Sequence, residues 1–248
     1  MIRQITSRQN PLLVHIRKLL NSRSYREKCG EFVGDGIKLL QEAVLWHSDL
    51  TTVVALESTN LPEMPDSVQI VTVPKDVMDS VSNMEAPQGA LFVCKMPEPK
   101  ALDISRGSLI LDGIQDPGNV GTILRTADAL EIPVVLSDGC ADAYNPKTVR
   151  ATMGAIFRNP PQTADKEEIL AFCEKAGIPI YATALKNSED IRTAALDGAV
   201  VIGSEGHGVC EDYLKASKRN LVIPMNARCE SLNASVAATI VMWEIKNR

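Results

Sequence analysis

The sequence predicts two α/β units in tandem, the second built on a mainly parallel sheet. Three observations carry this. Short apolar runs alternate with segments of helical period along the chain, the pattern of layered α/β structure. The strand candidates of the second half are nearly continuous apolar runs, as in parallel strands covered on both faces. Between the halves lies 97–107, PEPKALDISRG, a Pro-bearing, charged stretch poor in large apolar residues that reads as a linker. The expected domains are therefore 1–98 and 106–248. The 248 residues suffice for two domains of ordinary size, and a 45% hydrophobic content predicts a packed core.

In chain order, residues 9–21 place Leu12, Leu13, Ile16, Leu19 and Leu20 at helical spacing, with Asn10-Pro11 as cap and first position. A second helix, about 35–47, carries Ile37, Leu40 and Val44 at the same period. β-like runs follow at 50–56, 68–73 and 90–96, with a helix in KDVMDSVSNM between the last two. After the linker, strands are expected at 108–113, 133–137, 178–183, 199–204 and 220–225. Helices are expected at about 119–130, 147–154, 166–176 and 231–246.

Composition excludes several classes. No apolar run reaches the roughly 20 residues of a membrane span. The N-terminus lacks the apolar core of a secretion signal, so the chain reads as cytoplasmic. The six cysteines, at 29, 94, 140, 173, 210 and 229, form no CxxC pair, and His15, His47 and His207 form no ligand-spaced cluster. Reduced thiols and no metal are expected. Net charge is −5, but residues 1–30 hold seven basic side chains against Glu27, a local excess of +6 on a body of −11. Charge alone leaves open a polyanion contact and a solvated helix face.

Ligands of open α/β sheets bind beyond the carboxyl ends of strands, and three strand ends here are unusual. In LDGIQDPGNVGTILRTADAL (111–130) a turn-rich loop leads into a helix bearing Asn119, Gly121 and Arg125. Arg125 sits among apolar neighbours, where a cation needs an anion or a polar site, or snorkels to water. In VVIGSEGHGV (200–209) three glycines surround Glu205 directly after a strand. The spacing is neither a dinucleotide fingerprint nor a phosphate loop, and a plain turn remains open. In LVIPMNARCESLNASVAATIVMWE (221–244) an apolar run and a helix are joined by Asn226, Arg228, Glu230, Ser231 and Asn233. Ser231 or Asn233 can cap the helix, and Leu232, Val236, Ile240 and Trp243 are expected to form its buried stripe. One cap does not use five polar side chains, so a site is the better reading.

NVGTILRTADAL, VIGSEGHGV and IPMNARCESLNASVAATI, in this order and spacing, resemble the three motifs of the SpoU/TrmH branch of the SPOUT RNA methyltransferases. ITSRQNPLLVHIRKLLNSRSYREKCGEFVGDGIKLLQEAV resembles the RNA-substrate-binding domain that precedes the catalytic domain in many members. The third motif is the most specific. Glu131 departs from the pattern, since relatives often have Gly after the first helix.

The resemblance implies a small L30e-like N-terminal domain and a trefoil-knotted SPOUT domain that works as a homodimer. It implies methyl transfer from S-adenosylmethionine (AdoMet) to a ribose 2′-hydroxyl of structured RNA. Ribosomal RNA is the first choice of substrate and transfer RNA the second; a non-catalytic RNA-binding factor on the same scaffold is the rival class. By similarity, Gly203, Ile223, Met225 and Leu232 form the donor site, and Asn119, Arg125, Glu205, Ser231 and Asn233 the catalytic set. A free guanidinium is a poor base, so Arg125 is read as holding the hydroxyl or a neighbouring phosphate and stabilising developing negative charge. Glu205 is read as orienting Arg125 or the substrate. Arg8, Arg17, Lys18, Arg23 and Arg26 are the RNA contacts expected of the basic arm.

Overall fold

The structure, a computed structural model, describes residues 3–46, 48–82, 88–226, 228–229 and 231–247. It divides into two compact units, Met1–Glu98 with Tyr144–Arg158, and Pro99–Ala143 with Asn159–Arg248. Residues 83 and 84 of the helix expected in KDVMDSVSNM, His47 and Glu230 lie outside the described residues.

The first unit begins with β1 (Arg3–Gln4), α1 (Pro11–Asn21) and α2 (Arg23–Cys29). Asn10 caps α1 by accepting from the Leu12 amide, and Pro11 takes the first helical position, where its missing N–H costs nothing. Leu13, Ile16, Leu19 and Leu20 form the buried stripe. The chain breaks at extended Ser22, whose hydroxyl accepts from the Tyr25 amide and starts α2. Then come β2 (Glu31–Asp35), α3 (Ile37–Leu45), β3 (Leu50–Leu56), β4 (Gln69–Val73), α4 (Lys75–Val81) and β5 (Ala90–Lys95). The sheet order is β1-β4-β3-β5-β2, mixed, with β5 antiparallel to both neighbours. Strand β2 has no counterpart in the sequence reading. Gly34 weakens its strand pattern, yet a Cβ there would fall 2.1 Å from Phe92 Cζ, so the glycine makes room for that ring.

The second unit starts with β6 (Leu109–Asp112), α5 (Pro117–Leu130) and β7 (Val134–Leu136). Next along the chain are α6 (Pro146–Ala151) and α7 (Ala155–Arg158), which pack with the first unit. The single helix expected at 147–154 is broken, because Met153 (φ +50°) and Gly154 (φ +94°) adopt left-handed backbone. Phe157 lies 6.2 Å from Phe32 and 6.3 Å from Phe92, and Tyr144 4.9 Å from Phe32, centroid to centroid. This aromatic cluster fixes the segment to β2 and β5.

The chain continues through β8 (Gln162–Thr163), α8 (Lys166–Ala176), β9 (Ile180–Thr183), β10 (Ser188–Asp190), β11 (Ala199–Gly203), α9 (Glu211–Ala216), β12 (Arg219–Val222) and α10 (Ala234–Lys246). The order β10-β12-β9-β11-β6-β7-β8 is parallel at every pairing, as the continuous apolar runs predicted. Glu131, the departure from the glycine of relatives, ends α5 in left-handed backbone (φ 56°) and pairs with Lys246 at 2.7 Å. The position does demand the conformation that glycine adopts freely.

Candidate active site

Strands β6 and β11 are neighbours at the centre of the parallel sheet, and the chain leaves them toward opposite edges. This is the switch point at which such sheets bind ligands. Gly203 at the end of β11 pairs with Asp112 at the end of β6. The buried Asp112 accepts from the Cys210 amide at 2.7 Å, tying the glycine loop to β6. That loop folds back on itself, with the Gly208 amide donating to the Ser204 carbonyl at 2.9 Å. A Cβ on Gly203 would sit 2.0 Å from the Gly208 carbonyl carbon, so only glycine permits this approach.

The first motif is positioned by a cap. Asp116 Oδ1 accepts from the Asn119 amide at 2.8 Å, setting Asn119 in the first turn of α5. The third motif is positioned by another. Asn233, not Ser231, caps α10: its Oδ1 accepts from the amides of Ser235 (2.9 Å) and Val236 (3.4 Å) and from the Ser235 hydroxyl. Those donors force the NH2 of Asn233 outward, where it donates to Asn119 Oδ1 at 3.1 Å. Asn119 must then point its own NH2 the other way, and it donates to Glu205 Oε1. One cap thus fixes the orientation of both amides and of the carboxylate, joining all three motifs. Asn226 is spent locally: its side chain accepts from the Arg228 amide at 3.0 Å and its carbonyl from the Cys229 amide at 2.8 Å.

Beside this chain lies a cavity of about 710 Å³. Gly203, Ile223, Met225 and Leu232 all line it, as do Glu205 and Ser231. Thr183 at the end of β9 and Ala184 to Asn187 after it also line it. The sequence reading missed that segment, whose only signal is its place after a strand. A cleft of about 890 Å³ shares Asn187, Leu214 and Asn220 with this cavity and is also lined by Glu189, Lys218 and Arg219. It is larger, but it contains none of the motif residues. The smaller cavity fits AdoMet in kind: apolar walls from Ile223, Met225 and Leu232 suit an adenine, glycine backbone offers hydrogen bonds, and carboxylate and hydroxyl groups stand at its edge.

Arg125 is not brought into the polar chain. It lies on the exposed face of α5, and among the described residues no hydrogen bond or ion pair holds its guanidinium. Glu205 bonds to Asn119 instead.

The five basic residues of the first unit are placed unequally. Arg8 is exposed and pairs with Asp76 at 3.0 Å, and Arg23 with Glu27 at 2.8 Å. Arg17 donates to the carbonyls of Leu13 and Arg8, and Lys18 lies 5.4 Å from the Tyr25 ring centroid. Arg26 overturns its expected role. It is 3% exposed and donates to the Leu19 carbonyl at 2.6 Å, so it braces the corner between α1 and α2. His15 also has a setting that its spacing in sequence hides. It bonds to the Tyr25 hydroxyl (3.0 Å) and Glu31 (2.8 Å), and donor atoms of His15, Cys29 and Glu31 lie within 4.8 Å of one another.

Residues 107–243 match the SpoU rRNA Methylase family, and residues 4–91 the MRM3-like substrate binding domain. A Bacillus subtilis relative, 23S rRNA (guanosine(2553)-2'-O)-methyltransferase RlmP, is 33% identical over 99% of this chain and 100% of its own length. An AdoMet-bound rRNA methyltransferase from Sinorhizobium meliloti is similar with TM-score 0.87 and 26% identity, over 99% of this chain and 98% of that one. The SpoU methyltransferase AviRb from Streptomyces viridochromogenes, in complex with AdoMet, gives TM-score 0.86 and 25% identity, over 96% and 98%. With one family matching more than half of its length and a full-length relative at 33% identity, the chain belongs to the SpoU rRNA methylase family.

Proposed function

We propose that this protein transfers a methyl group from AdoMet to a ribose 2′-hydroxyl of 23S-type ribosomal RNA. The observation that carries the reading is the Asn233–Asn119–Glu205 chain, whose Glu205 end lines the 710 Å³ cavity. AdoMet supplies an already activated methyl on a positive sulfonium. Gly203 and Ile223 would hold it through backbone groups, with Met225 and Leu232 against its apolar part. Glu205 and Ser231 would orient the ribose, and the two asparagines would keep Glu205 in place. Arg125, exposed and unpaired among the described residues, would engage the hydroxyl or an adjacent phosphate and stabilise the charge that develops on oxygen. The Bacillus subtilis and Sinorhizobium meliloti relatives are rRNA methyltransferases by name, which favours rRNA over tRNA. The test is incubation with labelled AdoMet and, separately, 23S rRNA and bulk tRNA. Label in 2′-O-methylated rRNA is expected; label in tRNA alone, or in neither, overturns the reading.

We further infer that the working form is a homodimer and that the C-terminal unit is knotted. The buried stripe of α10 is Ala234, Ala238, Val241 and Met242, not the one expected from the sequence: Val236 and Trp243 stand exposed one heptad apart, 47% and 59% accessible, a stripe suited to a second copy. Residues 1–98 would read the RNA and 106–248 bind the donor. No helix among the described residues is long and apolar enough to cross a membrane. An rRNA substrate argues for work in the cytoplasm.

A further inference from the structure

Six large hydrophobic side chains stand exposed among the described residues: Leu45, Trp46, Met153, Leu185, Val236 and Trp243. The reading above absorbs three. Leu185 lines the donor cavity, and Val236 and Trp243 belong to the α10 stripe. The other three fall together in the first unit. Glu42 on α3 is the link: its Cγ would lie 2.7 Å from a Cβ on Gly154, the neighbour of Met153, and its carboxylate takes an ion pair from Arg158. One turn further along α3 stand Leu45 and Trp46, and Arg158 lies 5.6 Å from the Trp46 ring centroid. Trp46 is 49% and Met153 48% accessible. Met153 is held outward in left-handed backbone, a conformation a non-glycine residue enters at a cost.

The segment 146–158 is itself basic, with Glu42 on α3 taking the ion pair of Arg158. Residues 146–158, PKTVRATMGAIFR, carry Lys147, Arg150 and Arg158 and no acid, in a chain of net charge −5. Phe157 and Tyr144 anchor this segment in the aromatic cluster, so the surface rests on packed structure. An exposed indole with a guanidinium at its ring is the chemistry that receives an unpaired nucleobase. A protein partner held by apolar burial would want a wider hydrophobic patch, and Trp46 lies within residues 4–91, which match a substrate binding domain.

Resting on the rRNA-methylating reading, we propose that Trp46, with Met153 and Arg158, is a platform on which an unpaired base of the substrate RNA stacks. Trp46 is thus a substrate-positioning residue and takes no part in methyl transfer.

The first test is steady-state kinetics on 23S rRNA with the full chain. Trp46→Ala should raise KM for RNA roughly tenfold, with kcat and AdoMet affinity unchanged. Trp46→Phe should stay near the wild type. The second test needs no turnover. A hairpin with an unpaired loop should quench the tryptophan emission of the wild type, and a blunt duplex of equal length should not. The quench should vanish in Trp46→Phe, where Trp243 is the remaining tryptophan. An unchanged KM in Trp46→Ala, a quench that survives Trp46→Phe, or equal quenching by duplex would overturn the proposal. So would a concentration-dependent shift in emission that disappears in Trp46→Phe, which would mean a second copy covers this ring and not Trp243 alone. Absence of methyl transfer by the wild type sinks the enzymatic reading, and the hairpin measurement still decides the platform.

Discussion

Asn233 does two jobs with one amide, and they can be separated by substitution. Its oxygen caps α10 and its nitrogen holds Asn119. Asn233→Asp keeps the cap acceptor and removes the donor. Calorimetric Tm should stay near the wild type while methyl transfer falls. Asn233→Ala loses both, at a stability cost of about 1 kcal/mol for the cap. Arg125→Ala should fold normally and lose about 10²–10³ in kcat, and Arg125→Lys should not recover it fully, because an ammonium lacks the planar fork. Near-normal turnover in Asn233→Asp would remove the asparagine relay from the mechanism. The cysteines give a second residue-level test. Burial pushes the Cys94 thiol up to about 12 and those of Cys140 and Cys173 to about 11. Cys229 is exposed. In native protein at pH 8, a thiol reagent should modify Cys229 readily and leave those three silent until the chain is denatured. Folding holds the three protonated, so their contribution is intact below the ordinary thiol pKa of about 8.5 and is lost as pH rises toward the folded values. Rapid native labelling of Cys94 would contradict its burial.

The glycine loop after β11 is decided by what surrounds each glycine. Gly203→Ala drives a Cβ into the backbone of Gly208, which cannot rotate away. Overpacking of this kind costs about 1–3 kcal/mol, so AdoMet affinity should fall roughly tenfold or more. Gly206 has nothing within 4 Å of an added Cβ, and Gly206→Ala should bind AdoMet like the wild type. Titration calorimetry on the two variants checks the contrast; equal affinities would mean the loop opens to bind. Motif spelling alone ranks these glycines together, because it records that a residue is small and not what it is pressed against. The same limit hid β2. EFVGD reads as a weak strand until Phe92 is seen lying over Gly34.

At the scale of the whole molecule, the basic N-terminal excess is carried by side chains of unequal availability. Neutralising Arg8, Lys18 and Arg23 together should lower RNA affinity. The slope of log K against log salt should shrink by about 0.7–0.9 for each phosphate that is no longer neutralised. Arg26→Ala should act differently, lowering Tm by freeing the Leu19 carbonyl in a buried corner while leaving the salt slope unchanged. Binding across a salt series, with Tm measured alongside, distinguishes the two. The sequence by itself determined the α/β class, the parallel second sheet and the three strand-end motifs. Each of these is written locally, in apolar periodicity and in the side chains that follow a strand. Only the tertiary structure decided what those residues touch. Asn119 meets Glu205 and Asn233 across separations of 86 and 114 residues, and residues 144–158 take their place against β2 and β5. Arg26 turns inward, and His15 finds Glu31. Periodicity reports which face of an element is buried, but not the partner that buries it. A polar side chain's role follows from that partner.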